Sequence, residues 1–208
     1  FWSRFFPVAD KCLKTIDKLG MTPWRKRALQ RIEDWIVQHT DESDGPGAIF
    51  PPIVYLLIAL QCRGYGLDHP LMRDHEQYLR DYMLRATDDD GQETIHLQPC
   101  FSPVWDTGIA AYALAEAGLD ESHPAIQRCV RWLLDKECKF TGDWKHNVRQ
   151  DVEPSGWFFE YRTPHYVDVD DTVMVMMALA EAAAEARGEG GRERAFAARQ
   201  RGLQWILA

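Results

Sequence analysis

Helix-period segments recur along almost the whole chain, and they share their punctuation: Thr or Ser followed by Pro at the start, Gly at the stop. Thr22-Pro23 opens a helix running to about His39. Pro51-Pro52 opens "IVYLLIALQCRG", Ser102-Pro103 opens "VWDTGIAAYALAEAG", and His123-Pro124 opens "AIQRCVRWLLDKEC". Alternation of period two is scarce, so the fold class predicted is all-α. The segments from Phe50, Val104 and Thr172 are apolar nearly all round, whereas those from Thr22, Pro124 and Arg192 carry charge on one face. The first kind belongs in an inner helix layer and the second in an outer one.

The two kinds alternate and their sequences echo one another. "ALQCRGYGLDHP" (59–70) resembles "ALAEAGLDESHP" (113–124), and "ALAEAAAEARGEG" (178–190) begins alike. The outer segments place Trp35, Trp132 and Trp205 at matching positions. Helical hairpins repeating every roughly 50 to 65 residues imply stacked or ring-closed αα units. Three hairpins make an arc and not a closed barrel. The chain opens at Phe1 without Met and stops inside the helical pattern "RGLQWILA" with no cap or Gly stop. Residues 1–208 therefore read as a partial α/α barrel, incomplete at both ends. Its inner helices should leave an apolar face exposed or covered by another copy, which makes a homodimer an expected association.

Several classes of function are excluded by composition. A net charge of -8 gives no general pull toward nucleic acid. Five cysteines, odd in number and none in a C-x-x-C pair, indicate neither a disulfide framework nor a zinc site, and a reducing compartment is the simpler reading. No apolar run reaches the roughly 18 to 20 residues that span a bilayer.

One segment asks for a chemical explanation. "VDVDDT" (167–172) puts Asp168, Asp170 and Asp171 within four positions at the mouth of an apolar helix, and a long connection rich in aromatics leads into it. Long connections in compact domains are usually functional. Asp before an apolar helix is also a favoured N-cap, and Asp in a first turn suits the helix dipole, so capping accounts for any one of the three. A calcium loop does not fit, because Val173 stands where the tight-turn Gly is needed and Leu179 where the bidentate Glu is needed. What capping does not use is the crowding. Three neighbouring carboxylates repel, so at least one should retain its proton near neutral pH, as a Brønsted acid beside an apolar space. Trp157, Phe158, Phe159, Tyr161 and Tyr166 lead into the cluster, and Trp105 lies in an inner segment. Such rings pack in cores, and their faces also stabilise a cation without offering it a nucleophile. Tyr161 belongs to this run and is a candidate to face the apolar space beside the acid.

Nearly the whole chain resembles the class II triterpene cyclases of the squalene-hopene type. "DVDDT" matches the family's D-x-D-D-T acid motif, "SPVWDTG" (102–108) and "PPIVYLLIAL" (51–60) match its inner helices, and "GDW" (142–144) matches a Q-W repeat ending. Related oxidosqualene cyclases carry Asp-Cys-Thr at this position, so Asp170-Asp171-Thr172 favours the squalene type. The resemblance implies helical hairpins forming part of an (α/α)6 barrel, Asp170 as proton donor, and Asp168 and Asp171 as the residues that hold and polarise it. It places Phe159 near a developing cation and Trp105 against the substrate. Ile49-Phe50-Pro51 matches a cavity stretch reading Ile-Gln-Pro, with Phe50 departing from the Gln that helps organise the terminating water. Thr40 and Glu137 replace Gln in the Q-W repeats and Pro46 replaces a terminal Trp, so weaker ties between outer helices are expected. The family's His partner of the donor Asp has no match among the seven His here, and His165 is read as a loop residue.

The implied reaction is cyclisation of squalene, or a related polyprenyl substrate, to a hopanoid-type pentacycle in the full-length enzyme. It would need no cofactor and no metal, with this part alone inactive. Squalene is insoluble, so the implied location is peripheral, on the cytoplasmic side of the membrane, with the membrane surface as a partner and nucleic acid as none. Two other readings stand beside it: a non-catalytic helical-repeat module that binds prenyl chains or a protein, and a class II diterpene cyclase. The latter shares D-x-D-D but acts on a diphosphate, for which no basic cluster lies near the motif.

Overall fold

The computed structural model describes residues 2–40, 43, 45–119, 122–148, 151–182 and 191–208. The chain divides into two compact units, one ending at His39 and the other running from Thr40 to Ala208. The first holds helix α1 (Trp2–Lys18) and α2 (Arg25–Thr40), whose last residue belongs to the second unit. Gly20 at φ +64 ends α1, and Met21 N–H returns to the Ile16 carbonyl, so the chain turns tightly. Pro7 lies inside α1, which therefore does not follow the Thr-Pro or Ser-Pro opening rule.

The second unit is built from α3 (Phe50–Cys62), α4 (Pro70–Asp81), α5 (Pro103–Glu116), α6 (Pro124–Asp135), α7 (Val169–Ala182) and α8 (Gly191–Leu207). These pair as hairpins α3/α4, α5/α6 and α7/α8, the all-α repeat layering expected of an α/α barrel. The echoed His-Pro is a helix start. His69 Nδ1 accepts the Leu71 N–H at 3.3 Å and His123 Nδ1 accepts the Ala125 N–H at 3.2 Å, each with Pro following at N1. The imidazole fills the place usually taken by Ser or Asp. The third echo, 178–190, lies outside the described residues beyond Ala182.

Inner helices α5 and α7 pack side by side, with α6 and α8 against them. The shared core comprises Val104 and Ala111 of α5, Ile126, Leu133 and Leu134 of α6, Val175, Ala178 and Leu179 of α7, Ala195 and Ala198 of α8, and Trp157. Small residues permit the close approach. A Cβ on Gly202 would stand 3.0 Å from Met176 Sδ and 3.4 Å from Thr172 Cγ2, so α8 lies directly on α7. The inner helices also keep large apolar side chains exposed: Tyr55 and Ile58 on α3, Ile109 on α5, Val173 and Met177 on α7.

Two features depart from the sequence reading. The connection before α5 is not structureless: Met83–Thr87 (β1) pairs antiparallel with Glu93–Leu97 (β2), closed by Asp88, whose Oδ1 accepts the N–H groups of Asp90 and Gln92. Five residues a strand give too short an alternation to stand out. Nor does Glu137 leave the outer helices untied. Arg201 of α8 donates to it bidentately, Nε to Oε1 at 2.8 Å and Nη2 to Oε2 at 2.7 Å, while Ser155 Oγ donates to Oε1 at 2.8 Å. Lys139 also pairs with it. The tie persists as an ion pair because a carboxylate recruits a guanidinium where an amide would not.

Between α6 and α7 the chain runs as a strap over the start of α7. Gly156, at φ +104, is its tightest point: a Cβ there would lie 2.6 Å from Val167 Cγ1 and 2.8 Å from Thr172 Oγ1. Gly156→Ala combines left-handed strain with a clash and should lower stability by about 2–4 kcal/mol, read as a fall in the urea midpoint at unchanged slope.

Candidate active site

Asp168 is the residue that caps α7. Its Oδ1 accepts the Asp171 N–H at 2.7 Å, the geometry of an N-cap serving the third helical residue. Its own N–H donates to the Trp157 carbonyl at 3.2 Å, so the strap and the helix start form a short antiparallel bridge. Thr172, fully buried, completes the junction: its hydroxyl donates to the Asp168 carbonyl at 2.6 Å and accepts the Trp157 N–H at 3.0 Å. The capping and acid readings thus concern different residues. Asp168 satisfies the helix end, and neither Asp170 nor Asp171 is spent on it.

Asp171 and Asp170 occupy opposite environments. The Asp171 side chain is buried, and its Oδ1 has no hydrogen-bond partner. Burial above all, then a hydrogen bond to Asp168 and the charges of Asp168, Glu160 and Asp170, push its carboxyl up to about 8. Asp171 therefore keeps a proton at neutral pH. Glu160, buried in the strap, is a contributor that the motif does not announce. Asp170 is exposed. It heads a stripe continued at i+3 and i+7 by the exposed Val173 and Met177, so a carboxyl sits at one end of an apolar strip on the inner helix. Gly108 lets α5 close on Met174 and Val175, and the next residue of α5, Ile109, is exposed.

The aromatic candidates separate by position. Phe159 and Trp105 meet at one junction, because the Val104 N–H in the first turn of α5 donates to the Phe159 carbonyl at 3.4 Å, and both rings are half-buried. Trp157 is core, fully buried, its Nε1–H donating to the Leu133 carbonyl at 2.7 Å. Tyr161 turns toward α6: Lys136 Nζ donates to its carbonyl at 2.6 Å and lies 5.9 Å from its ring centre. The segment Ile49-Phe50-Pro51 is held to the approach of α5, with Ile49 bridged to Cys100 and the Phe50 N–H donating to the Pro99 carbonyl at 2.9 Å. Ile49 and Pro51 are exposed and Phe50 half-buried. His165 packs edge-on against Phe140 at 4.6 Å in the loop before α7. Among the described residues no three His, Cys, Asp or Glu side chains are arranged to hold a metal ion. No described helix is long and apolar enough to cross a membrane.

The family model described as squalene-hopene cyclase C-terminal domain matches residues 101–208, and that of the squalene-hopene cyclase N-terminal domain matches residues 1–88. The chain is 35% identical over 206 residues to a squalene-hopene cyclase of Bradyrhizobium diazoefficiens, covering 99% of this chain and 30% of that protein. It is 34% identical over 184 residues to a squalene-hopene cyclase of Zymomonas mobilis, covering 88% of this chain and 28% of the relative. A dammaradiene synthase of Dryopteris crassirhizoma is 30% identical over 181 residues, covering 85% of this chain and 25% of the relative. The chain thus spans less than a third of the length of these relatives.

The buried proton has a thermodynamic signature. Native Asp171 holds its proton to about pH 8, whereas an unfolded Asp releases it near 3.9, so between these values the native state binds more protons. The stability contributed by the neutral carboxyl is therefore fully present below about pH 4 and is lost as pH rises toward 8, a cost on the order of 4 kcal/mol at neutral pH. Asp171→Asn, which mimics the protonated form, should melt close to wild type at pH 4 and well above it at pH 8 by differential scanning calorimetry.

Proposed function

Because the chain belongs to the squalene-hopene cyclase family, we propose that its full-length protein cyclises squalene, or a related polyprene, by protonating a terminal alkene. The observation that carries this reading is the division of labour at the head of α7: one carboxyl caps, one is buried and protonated, and one is presented at the end of an apolar stripe. Asp170 is the donor. Its O–H bond breaks as a C–H bond forms on the alkene, leaving the cation on the more substituted carbon. Successive alkenes supply electron pairs to the growing polycycle, and loss of a proton or addition of water ends the sequence.

An alkene is a very weak base, so the donor must be a strong acid in a dry place. Two features of this chain lower the cost of the carboxylate that remains on Asp170. It lies in the first turn of α7, where the helix dipole favours negative charge. Its neighbour Asp171 is neutral, so the new anion does not face a charged Asp171 carboxylate. The backbone bond from Val104 to Phe159 puts Phe159 beside the start of α5, next to Trp105 in sequence, and the faces of these two rings stabilise the developing positive charge. Phe50 beside Ile49 and Pro51 is the residue to examine for how the last cation is quenched, and hence for whether the product is a hopanoid. Residues 1–208 supply the acid-bearing part of an α/α barrel, and the protein reaches its insoluble substrate from the cytoplasmic membrane surface without a metal or cofactor.

The experiment uses the protein in the longest form its reading frame encodes, incubated with squalene and analysed by gas chromatography of the lipid extract. Asp170→Asn should fold normally and lose at least about 10³-fold in cyclised product, the scale of a removed general acid. Phe159→Ala should slow the reaction about 30-fold or release partly cyclised products, since a desolvated cation-π contact contributes about 2 kcal/mol. Wild-type rates from Asp170→Asn would overturn the acid assignment, and an inactive wild type would favour the binding module.

A further inference from the structure

We infer that the buried carboxylate of Glu137, with Arg201 and Ser155, positions the acid cluster of α7 from the outer helix layer. The path is short and fully hydrogen-bonded. Glu137 follows the end of α6 and its side chain is only 4% exposed. It accepts from Arg201 of α8 through both oxygens and from Ser155 Oγ at 2.8 Å. Ser155, itself buried, lies in the strap two residues before Trp157. The next residue, Gly156, has its carbonyl held by the Cys138 N–H at 2.9 Å, and the one after, Trp157, grips α7 through the Thr172 hydroxyl and the Asp168 N–H. One carboxylate therefore holds the strap at Ser155, two residues before Trp157 joins the start of α7, where Asp171 is buried.

Electrostatics supports the arrangement. Burial pushes the Glu137 carboxyl up, yet hydrogen bonds from Arg201, Lys139 and Ser155 outweigh it and hold the group below the usual carboxylate range. It stays ionised and fully engaged. Burying an ion pair seldom adds net stability over an apolar replacement, so the gain to look for is in geometry. A contrast lies on the same pair of helices, where Arg194 of α8 pairs with Asp135 of α6 at 3.4 Å, both side chains being over 60% exposed. That pair is exposed to solvent and should contribute little.

The role of the cluster in catalysis rests on the proposed function, whereas the test reads only a proton. In the 208-residue chain, the infrared band of a protonated carboxyl is followed against pH and assigned to Asp171 by its loss in Asp171→Asn. The groups facing Asp171 are Asp168, Glu160 and Asp170, and all are kept. Ser155→Ala removes only the link from Glu137 to the strap and changes little volume. It should lower the Asp171 midpoint by about one pH unit or more, as water reaches the carboxyl. Glu137→Ala should do the same, and Glu137→Gln, which keeps an acceptor for Ser155 and one bond from Arg201, should restore most of the shift. Arg194→Ala should leave the midpoint unchanged. A midpoint that stays put in Ser155→Ala while the melting temperature falls would make the contact merely structural and overturn the inference. An equal shift in Arg194→Ala would overturn it too. Because no substrate is used, neither result depends on whether squalene is cyclised.

Discussion

A single hydroxyl holds the two halves of the acid site together. Thr172 Oγ donates to the Asp168 carbonyl and accepts the Trp157 N–H, in a place from which water is excluded. Both partners are backbone groups; the Asp168 carbonyl also accepts the Thr172 N–H, whereas the Trp157 N–H depends on this hydroxyl, and leaving it buried and unpaired would cost about 1–3 kcal/mol. The last letter of the D-x-D-D-T motif is thus the joint that lets a strap lie flat on a helix start. Everything chemical at this end of the molecule follows from that contact: the bridge between Trp157 and Asp168, the burial of Asp171, and the delivery of Phe159 to the first turn of α5.

The packing behind the joint explains why it is tight. Trp157 fills the space between strap, α6 and α7, with its indole N–H satisfied by the Leu133 carbonyl, so a large ring is buried at no polar cost. Gly156 and Gly202 give it room, the first by a left-handed backbone and the second by letting α8 close on Thr172. Against this well-packed frame stands Asp171, a buried carboxyl whose Oδ1 has no hydrogen-bond partner. Native proteins seldom retain such a group where stability alone is at stake, and perturbed carboxyls concentrate at functional sites.

Much of this was legible before any coordinates. Pro-initiated helix starts, the echo ending in His-Pro, and the contrast between uniformly apolar and amphipathic segments carry the layering, because helix punctuation and periodicity are local. The crowding of Asp168, Asp170 and Asp171 likewise foretells a retained proton. That Asp171 keeps one depends on its burial and on the charge of Glu160, which stands more than ten positions away in sequence. Glu137 looked like a damaged repeat, since nothing in its own segment reveals that Arg201 sits across from it. Tyr161 belonged by sequence to the aromatic run, yet its backbone turns it to Lys136 and the outer helix. The short strands around Asp88 and the Pro-containing α1 escape for the opposite reason: their local signals are weak and the structure is set by neighbours.

The central claim is that a carboxylic acid of this cluster starts the reaction by giving a proton to carbon. Running the longest encoded form of the protein on squalene in deuterated water tests it most directly, because every exchangeable carboxyl then carries deuterium. The account predicts one deuterium per cyclised molecule at the initiating end, found by mass spectrometry and carbon NMR. Cyclised product that carries no deuterium there would contradict it.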